Sequence, residues 1–461
     1  MTPDDKTRTS RRQFIKGAGG VAAASALTAL HAPAVHAAGS DLIQVALIGC
    51  GGRGSGAAVD ALSTTSGPIK LVAMADAYAD RLNSSHDSLV GSSVGKLVDV
   101  PKERQFIGFD AYRKAMDCLK PGDVAIFTTP LAFRWIHFTY AIDKRLNVFM
   151  EKPLTSDGPT SKIMLKLAED SVAKNLKVGV GLMSRHARPL QELHDRIQNG
   201  EIGDIILMRG YRAQGPVGTF ESPPKPANIG ELEYQIRRFH SFLWAGGGCF
   251  SDFNIHIIDH LAWMKNAWPV KAQAMGGRHY RLTQEGLPAV DQNFDNYSVE
   301  YTFEDGSKFL FDGRCMTGTA GIYSSYCHGT KGIAIASKFG DCGGPSSIFR
   351  GQDMSPAKMV WSSKDNSNPY RNEWQELVQA IRDNKPYNEV KRGVEASVVT
   401  SMGRAAAHTG QEITFQDMLN SEHRFAPDLE KLSLAGISPL PAGPDGRYPV
   451  PEPGRKGMRE Y

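Results

Sequence analysis

The feature that most limits this fold is a run of glycines directly after a short apolar stretch. Ile43-Gln44-Val45-Ala46-Leu47-Ile48 is rich in β-branched residues and reads as a buried strand. It runs into Gly49-Cys50-Gly51-Gly52-Arg53-Gly54, and Ser55–Leu62 then follows a helical pattern. Gly49, Gly51 and Gly54 fit G-x-G-x-x-G. At such a junction the first glycine permits a tight turn. The second lets a pyrophosphate approach the backbone, and the third lets helix and strand pack closely. Phosphates would sit at the helix N-terminus, beside Gly52 and Arg53, where free N–H groups point outward.

The surrounding order fits the same reading. A second strand, Ile69–Ala75, ends at Asp76, 22 residues beyond Gly54. An acid there can accept from a ribose 2′-hydroxyl and would repel a 2′-phosphate, so NAD is the expected cofactor. Arg81 nearby leaves NADP open. A further strand, Val124–Thr128, leads to Thr129-Pro130, and Phe133–Lys144 reads as a helix. Asn147–Met150 then leads to Glu151-Lys152-Pro153. Ligands of open parallel sheets lie at the carboxyl ends of strands, which puts Thr129, Pro130, Glu151 and Lys152 beside the cofactor. Pro153 biases Lys152 away from helix. The plainer reading of Lys152 is a solvated surface lysine.

A second informative stretch opens at Gly246-Gly247-Gly248. Ser251 or Asp252 can cap the helix that follows, which the pattern carries to Met264. Asp252 and His256 are four residues apart and share a face, with Asp259 close to it. A histidine oriented by a carboxylate is the usual general base. A capped helix with a satisfied core histidine is the plainer alternative. His256 and His260 also have metal-site spacing, but Asp259 stands where that pattern has Glu and no third ligand stands at a fixed distance. No metal is assigned.

The N-terminus reads as an address. Ser10-Arg11-Arg12-Gln13-Phe14-Ile15-Lys16 precedes an uncharged stretch to Leu30, with small residues before a cut near Ala37/Ala38. The paired arginines resemble a twin-arginine signal, which implies folding before export to the periplasm or medium. Composition gains meaning only after this segment is set aside. The 461 residues carry a net charge of +4, and residues 1–37 hold five cations against two acids. The remainder is nearly neutral, which argues against a nucleic-acid partner. No later stretch is apolar enough to span a bilayer. The six cysteines include no Cys-x-x-Cys pair, and a Cys315–Cys327 bridge is left open.

The combination of G-x-G-x-x-G, Glu151-Lys152-Pro153 and the later Asp252-x-x-x-His256 resembles the Gfo/Idh/MocA oxidoreductases, the family of glucose–fructose oxidoreductase and inositol dehydrogenase. The resemblance implies an α/β chain with an N-terminal Rossmann dinucleotide-binding domain. A C-terminal α/β domain would follow, with a large, mostly antiparallel open sheet that forms a homo-oligomer interface. The expected divisions are a signal peptide at 1–37, the Rossmann domain at 38–155, the substrate domain at 156–425 and a Pro/Gly-rich tail at 426–461. The tail is expected to run over the surface or onto a neighbouring subunit. On its own pattern, Tyr297, Val299, Tyr301 and Phe303 alternate as a half-buried strand, and Ser307–Met316 returns from it as a hairpin. Trp374, Leu377, Val378 and Ile381 mark an amphipathic helix.

By resemblance, Lys152, Asp252 and His256 are the catalytic group acting on a carbinol of a sugar, glycoside or polyol. Arg134, Arg185 and His186 are suggested as sugar contacts. Export implies a retained cofactor that is reset within each cycle. Two alternatives remain at this level: an NAD-dependent glycosidase working by transient oxidation, and a non-catalytic sugar-binding protein on the same scaffold.

Overall fold

The computed structural model describes residues 41–461 except 281, 341, 343, 434 and 435. The expected signal segment at 1–37 lies outside the described residues. β1 (Ile43–Ile48), β2 (Ile69–Asp76), β3 (Gln105–Ile107), β4 (Val124–Phe127), β5 (Asn147–Met150) and β6 (Val178–Val180) form one parallel sheet. Their order is β3-β2-β1-β4-β5-β6. Every residue of β4 and β5 is buried, as expected of strands covered by helices on both faces. The chain order reverses between β1 and β4, and α1 (Gly52–Leu62) and α2 (Arg134–Asp143) begin just beyond those strands. That reversal opens the crevice in which sheets of this kind bind ligands.

The second sheet holds β7 (Ile205–Gln214), β8 (Lys271–Gly277), β9 (Asn296–Thr302), β10 (Lys308–Cys315), β11 (Ile322–Gly329), β12 (Gly332–Ser337), β13 (Ser347–Arg350), β14 (Met359–Ser362) and β15 (Ile413–Thr414). Its order is β14-β13-β12-β11-β7-β10-β9-β8-β15. All pairs are antiparallel except β7 with β10. The alternation in β9 has its expected consequence: Tyr297, Val299 and Tyr301 are buried and Ser298 is exposed. The inner face packs with α3 (Gly248–Lys265) and α5 (Val390–Thr409); between them in sequence lies α4 (Pro369–Arg382). Gly247, in the left-handed region at φ 72°, caps α3, so Ser251 and Asp252 lie inside its first turns and are not its cap. α5 carries no polar stripe because nearly all of it is buried, which is why its period does not show in the sequence.

Three expectations change. The parallel sheet does not stop at 155, because β6 joins β5. α4, far along the chain, packs into the core of the first sheet: the Trp374 ring lies 4.4 Å from that of Phe149, within a cluster that also holds Ile43 and Leu47. Residues 42–461 accordingly form one compact unit. The tail is not a surface strap either. Leu429, Leu440 and Tyr448 join a core cluster with Phe242 and Trp244, and Glu460 is 4% exposed. The reason is Arg404 on α5, which is fully buried and needs an anion. Its Nε and Nη2 donate to Glu460 at 2.9 and 2.8 Å, and His408 Nδ1 lies 2.6 Å from the same carboxylate. Burial alone would raise the Glu460 pKa, but Arg404 and His408 hold it at about 2.

Among the described residues no disulfide forms. Cys315 and Cys327 lie on β10 and β11, and β7 separates them. Glu460→Ala leaves the Arg404 charge buried and unpaired, and is expected to cost about 3–5 kcal/mol in urea denaturation. An unchanged midpoint would show that the pair carries no stability.

Candidate active site

The glycine turn is fixed by contacts that exclude any side chain. Gly49 has φ 97°, and a Cβ there would lie 2.7 Å from the Thr128 carbonyl carbon. At Gly54 a Cβ would lie 2.1 Å from the Gly49 oxygen, so helix and strand close only on glycine. At Gly51 a Cβ would meet nothing within 4 Å. The second glycine thus borders open space, as an approaching phosphate requires. The cleft beside it is lined by Gly49, Gly51, Asp76, Arg81, Thr129 and Pro130 among others. Asp76 accepts the Cys50 N–H at 2.7 Å and the Tyr78 N–H at 3.0 Å, which ties the acid to the turn. Burial raises its pKa against those two bonds. Gly52 and Arg53 form the first turn of α1. Arg53 does not reach into this cleft: its Nε donates to Glu151 at 2.6 Å and its guanidinium lies over Tyr370.

A second compartment of about 950 Å³ shares Thr128 and Thr129 with the first. Lys152, Asp252 and His256 all line it. Lys152 Nζ donates to the Asp252 carbonyl at 2.7 Å and to its Oδ1 at 3.3 Å. Burial would raise the Asp252 pKa, but the Lys152 ammonium and His240 hold it well below the usual carboxylate range. His256 is 6% exposed and its Nδ1 is buried without a partner. Burial pushes its pKa well below the ordinary value, and Lys152 and Arg212 add to the shift. The ring is therefore a neutral imidazole.

One expected link is absent and one residue is new. The spacing puts Asp252 and His256 in the same compartment, yet among the described residues no hydrogen bond joins them. The carboxylate turns instead to Lys152 and to His240, whose Nε2 is 3.5 Å from Oδ2. His240 lies outside any periodic segment, so the sequence offers no signal for it beyond a histidine beside Phe239. Its Nδ1 accepts the Thr219 N–H at 3.2 Å, which leaves Nε2 facing Asp252.

The profile of the GFO/IDH/MocA C-terminal domain matches residues 190–335, and that of a twin-arginine translocation signal sequence matches residues 8–28. The chain carries a Gfo/Idh/MocA C-terminal domain. An inositol 2-dehydrogenase of Pseudarthrobacter chlorophenolicus is 30% identical over 139 residues, 28% of this chain and 40% of that protein. The rhizopine catabolism protein MocA of Rhizobium meliloti is 24% identical over 35% of this chain and 44% of its own length. The chain thus spans less than half the length of these curated relatives. In fold it is similar to scyllo-inositol dehydrogenase from Lactobacillus casei with bound NAD(H) and scyllo-inositol, at TM-score 0.59 and 18% identity over 81% of this chain and 99% of that one.

The three suggested sugar contacts fare differently. Arg134 lines the second compartment, but it is 3% exposed and two of its nitrogens donate to the Thr129 and Pro153 carbonyls at 2.9 and 3.2 Å. It braces the loop that carries Lys152. Burial lowers its pKa to about 10, so it remains a cation. Arg185 and His186 do not line the compartment. Asp259, expected close to the His256 face, is fully buried and takes Arg185 in a bidentate pair at 2.7–3.1 Å. His186 lies between Glu376 at 2.7 Å and Glu389 at 3.2 Å. His260 bonds Ser325 of β11.

Burial lowers the His186 pKa, but Glu389 and Glu376 outweigh it and raise it to about 9. A raised folded-state value means stability that is complete below the ordinary value near 6.5 and is lost as pH rises through about 9. The melting temperature should fall over that window, and His186→Gln should flatten the slope. An equal slope in the variant would remove His186 as its source.

Proposed function

We propose that this protein is an exported NAD(P)-dependent oxidoreductase acting on a carbinol of a sugar, glycoside or polyol, with a retained cofactor. The observation that carries the reading is the junction at Thr128 and Thr129. There the compartment with Lys152, Asp252 and His256 opens beside the cleft with Gly51 and Asp76. The glycine turn fits a dinucleotide because it leaves room where a pyrophosphate must approach. Gly49, Gly51, Gly52, Gly54, Asp76, Thr129 and Pro130 would hold it, with Arg53 and Glu151 bracing the turn from behind. A nicotinamide bound there would supply the hydride acceptor.

The chain's own residues handle the proton and the charge. Neutral His256 can accept the hydroxyl proton as the carbinol is oxidised. Lys152 donates to the substrate oxygen and stabilises the negative charge that develops on it. Asp252 holds Lys152 in place, and His240 fixes Asp252. The short path from Lys152 to the helix backbone at Asp252 leaves the ammonium little freedom.

The twin-arginine signal supports export to the periplasm or medium, where a dissociating cofactor would be lost. Among the described residues no helix is long and apolar enough to cross a membrane. The likeness to aldose-aldose oxidoreductase from Caulobacter crescentus, at TM-score 0.60 and 13% identity over 81% of this chain and 99% of that one, supports resetting the cofactor with a second sugar. The outer face of the second sheet exposes Met275, Leu310 and Ile322, which supports homo-oligomer formation through it.

Protein purified without added nucleotide, then denatured, should release NAD(H) or NADP(H) into the supernatant. No nucleotide released and none bound on addition would overturn the cofactor reading. Lys152→Ala and His256→Ala should each retain the nucleotide and lose about 10²–10⁴-fold in turnover, the range of a positioned proton-transfer group. Near-normal turnover in both would overturn the site.

A further inference from the structure

Among the described residues, the compartment holds one cation, Arg212, with neither a carboxylate partner nor two backbone acceptors. Its charged lining residues are Arg53, Arg134, Glu151, Lys152, Arg212 and Asp252. Arg53 is paired with Glu151, and Lys152 with Asp252. Arg134 also lacks a carboxylate and its Nε has no partner, but it is 3% exposed and both of its Nη nitrogens are held by backbone carbonyls. Arg212 stands apart. It reaches in from β7 of the second sheet, and among the described residues no carboxylate pairs with it. Its Nη1 donates to the Phe253 carbonyl, and its Nε is buried without a partner.

The guanidinium is nonetheless held in place. Arg212 and Tyr323 are cross-strand partners on β7 and β11, and its charge lies 4.5 Å from the Tyr323 ring centroid. The Phe253 ring, next to Asp252 on α3, lies 5.2 Å away. A guanidinium fixed against aromatic rings is a planar set of donors with its orientation already decided, the geometry that suits a carboxylate or phosphate. The cofactor's phosphates are not the counter-charge. Arg212 lines the compartment of His256 and not the cleft of Gly49, Gly51 and Asp76.

We propose that the substrate is a sugar or glycoside bearing an oxyanion, and that Arg212 is the residue that selects it. This rests on the oxidoreductase reading above and sharpens its substrate class. The neutral His256 beside Arg212 adds no competing charge, and the two ion pairs cancel. An anion entering the compartment therefore meets an uncompensated cation in a partly buried site, where charge-assisted hydrogen bonds are strongest. A neutral polyol would leave that charge unanswered.

The test is calorimetric titration of the protein as purified with matched probes: methyl β-glucoside, methyl β-glucuronide and glucose 6-phosphate, and the galacto equivalents. The expected result is at least about tenfold tighter binding of a charged member over its neutral counterpart, falling with added salt. The uronide and phosphate arms separate the two oxyanions. Arg212→Gln should abolish the preference, and Arg212→Lys should restore part of it, since charge returns without the planar fork. Three outcomes overturn the proposal: equal affinity within each series, no binding of any charged probe, or equal weakening of charged and neutral probes in Arg212→Gln. Nicotinamide absorbance at single turnover separates this from the parent reading. Turnover of neutral sugars without charge preference overturns only the anion selection. Absence of both retained nucleotide and redox change overturns the oxidoreductase itself.

Discussion

Arg404 is the interaction on which the two halves of the structure depend. It sits on α5 with no solvent contact, and a buried guanidinium is tolerable only if its donors are met. They are met by four residues on three separate segments. Glu460 supplies the anion, Ser156 a carbonyl just beyond Lys152, Gly247 the carbonyl at the cap of α3, and Ser251 a hydroxyl one residue before Asp252. One side chain thus ties the loop of Lys152 to the helix of Asp252 and His256. The proposed catalytic group is assembled from parts 100 residues apart in sequence, and this cation is the brace behind them.

Electrostatics in front of that brace follow from the same economy of pairs. Lys152 and Asp252 neutralise one another, and His240 takes the remaining carboxylate oxygen. His256 is left with neither a carboxylate nor a hydrogen bond at Nδ1, in a buried setting beside two cations. That arrangement keeps it neutral. The tight coupling of Lys152 to Asp252, rather than of His256 to Asp252, makes the lysine the oriented partner and leaves the histidine free to turn toward a substrate. Arg53 and Glu151 do the equivalent task at the glycine turn, linking α1 to the end of β5.

Legibility was uneven for identifiable reasons. The first sheet was readable because each strand ends in a turn with its own chemistry: Gly49 after β1, Asp76 at the end of β2, Thr129-Pro130 after β4 and Lys152-Pro153 after β5. β9 and β10 were readable because one face is wet and the other dry, so their side chains alternate. α5 was not, since burial all round erases the polar face that reveals a helix. Arg185 and His186 looked like site residues because they are polar near an element end. Their carboxylate partners, Asp259, Glu376 and Glu389, are as far as 203 residues away along the chain. The tail looked like a surface strap because Pro and Gly mark irregular backbone, which says nothing about whether that backbone is covered.

The sequence by itself determined the local chemistry. It set the strand–glycine–helix junction, the acid at the end of β2, the lysine before a proline and the Asp252/His256 spacing, since each depends on neighbours within a few residues. Tertiary structure decided which of these meet. It turned Asp252 toward Lys152 and His240, sent α4 back into the first sheet, buried Glu460 on Arg404 and brought Arg212 into the compartment unpaired. These outcomes rest on matching buried charges across the whole chain, and a buried charge finds its partner in space and not in sequence.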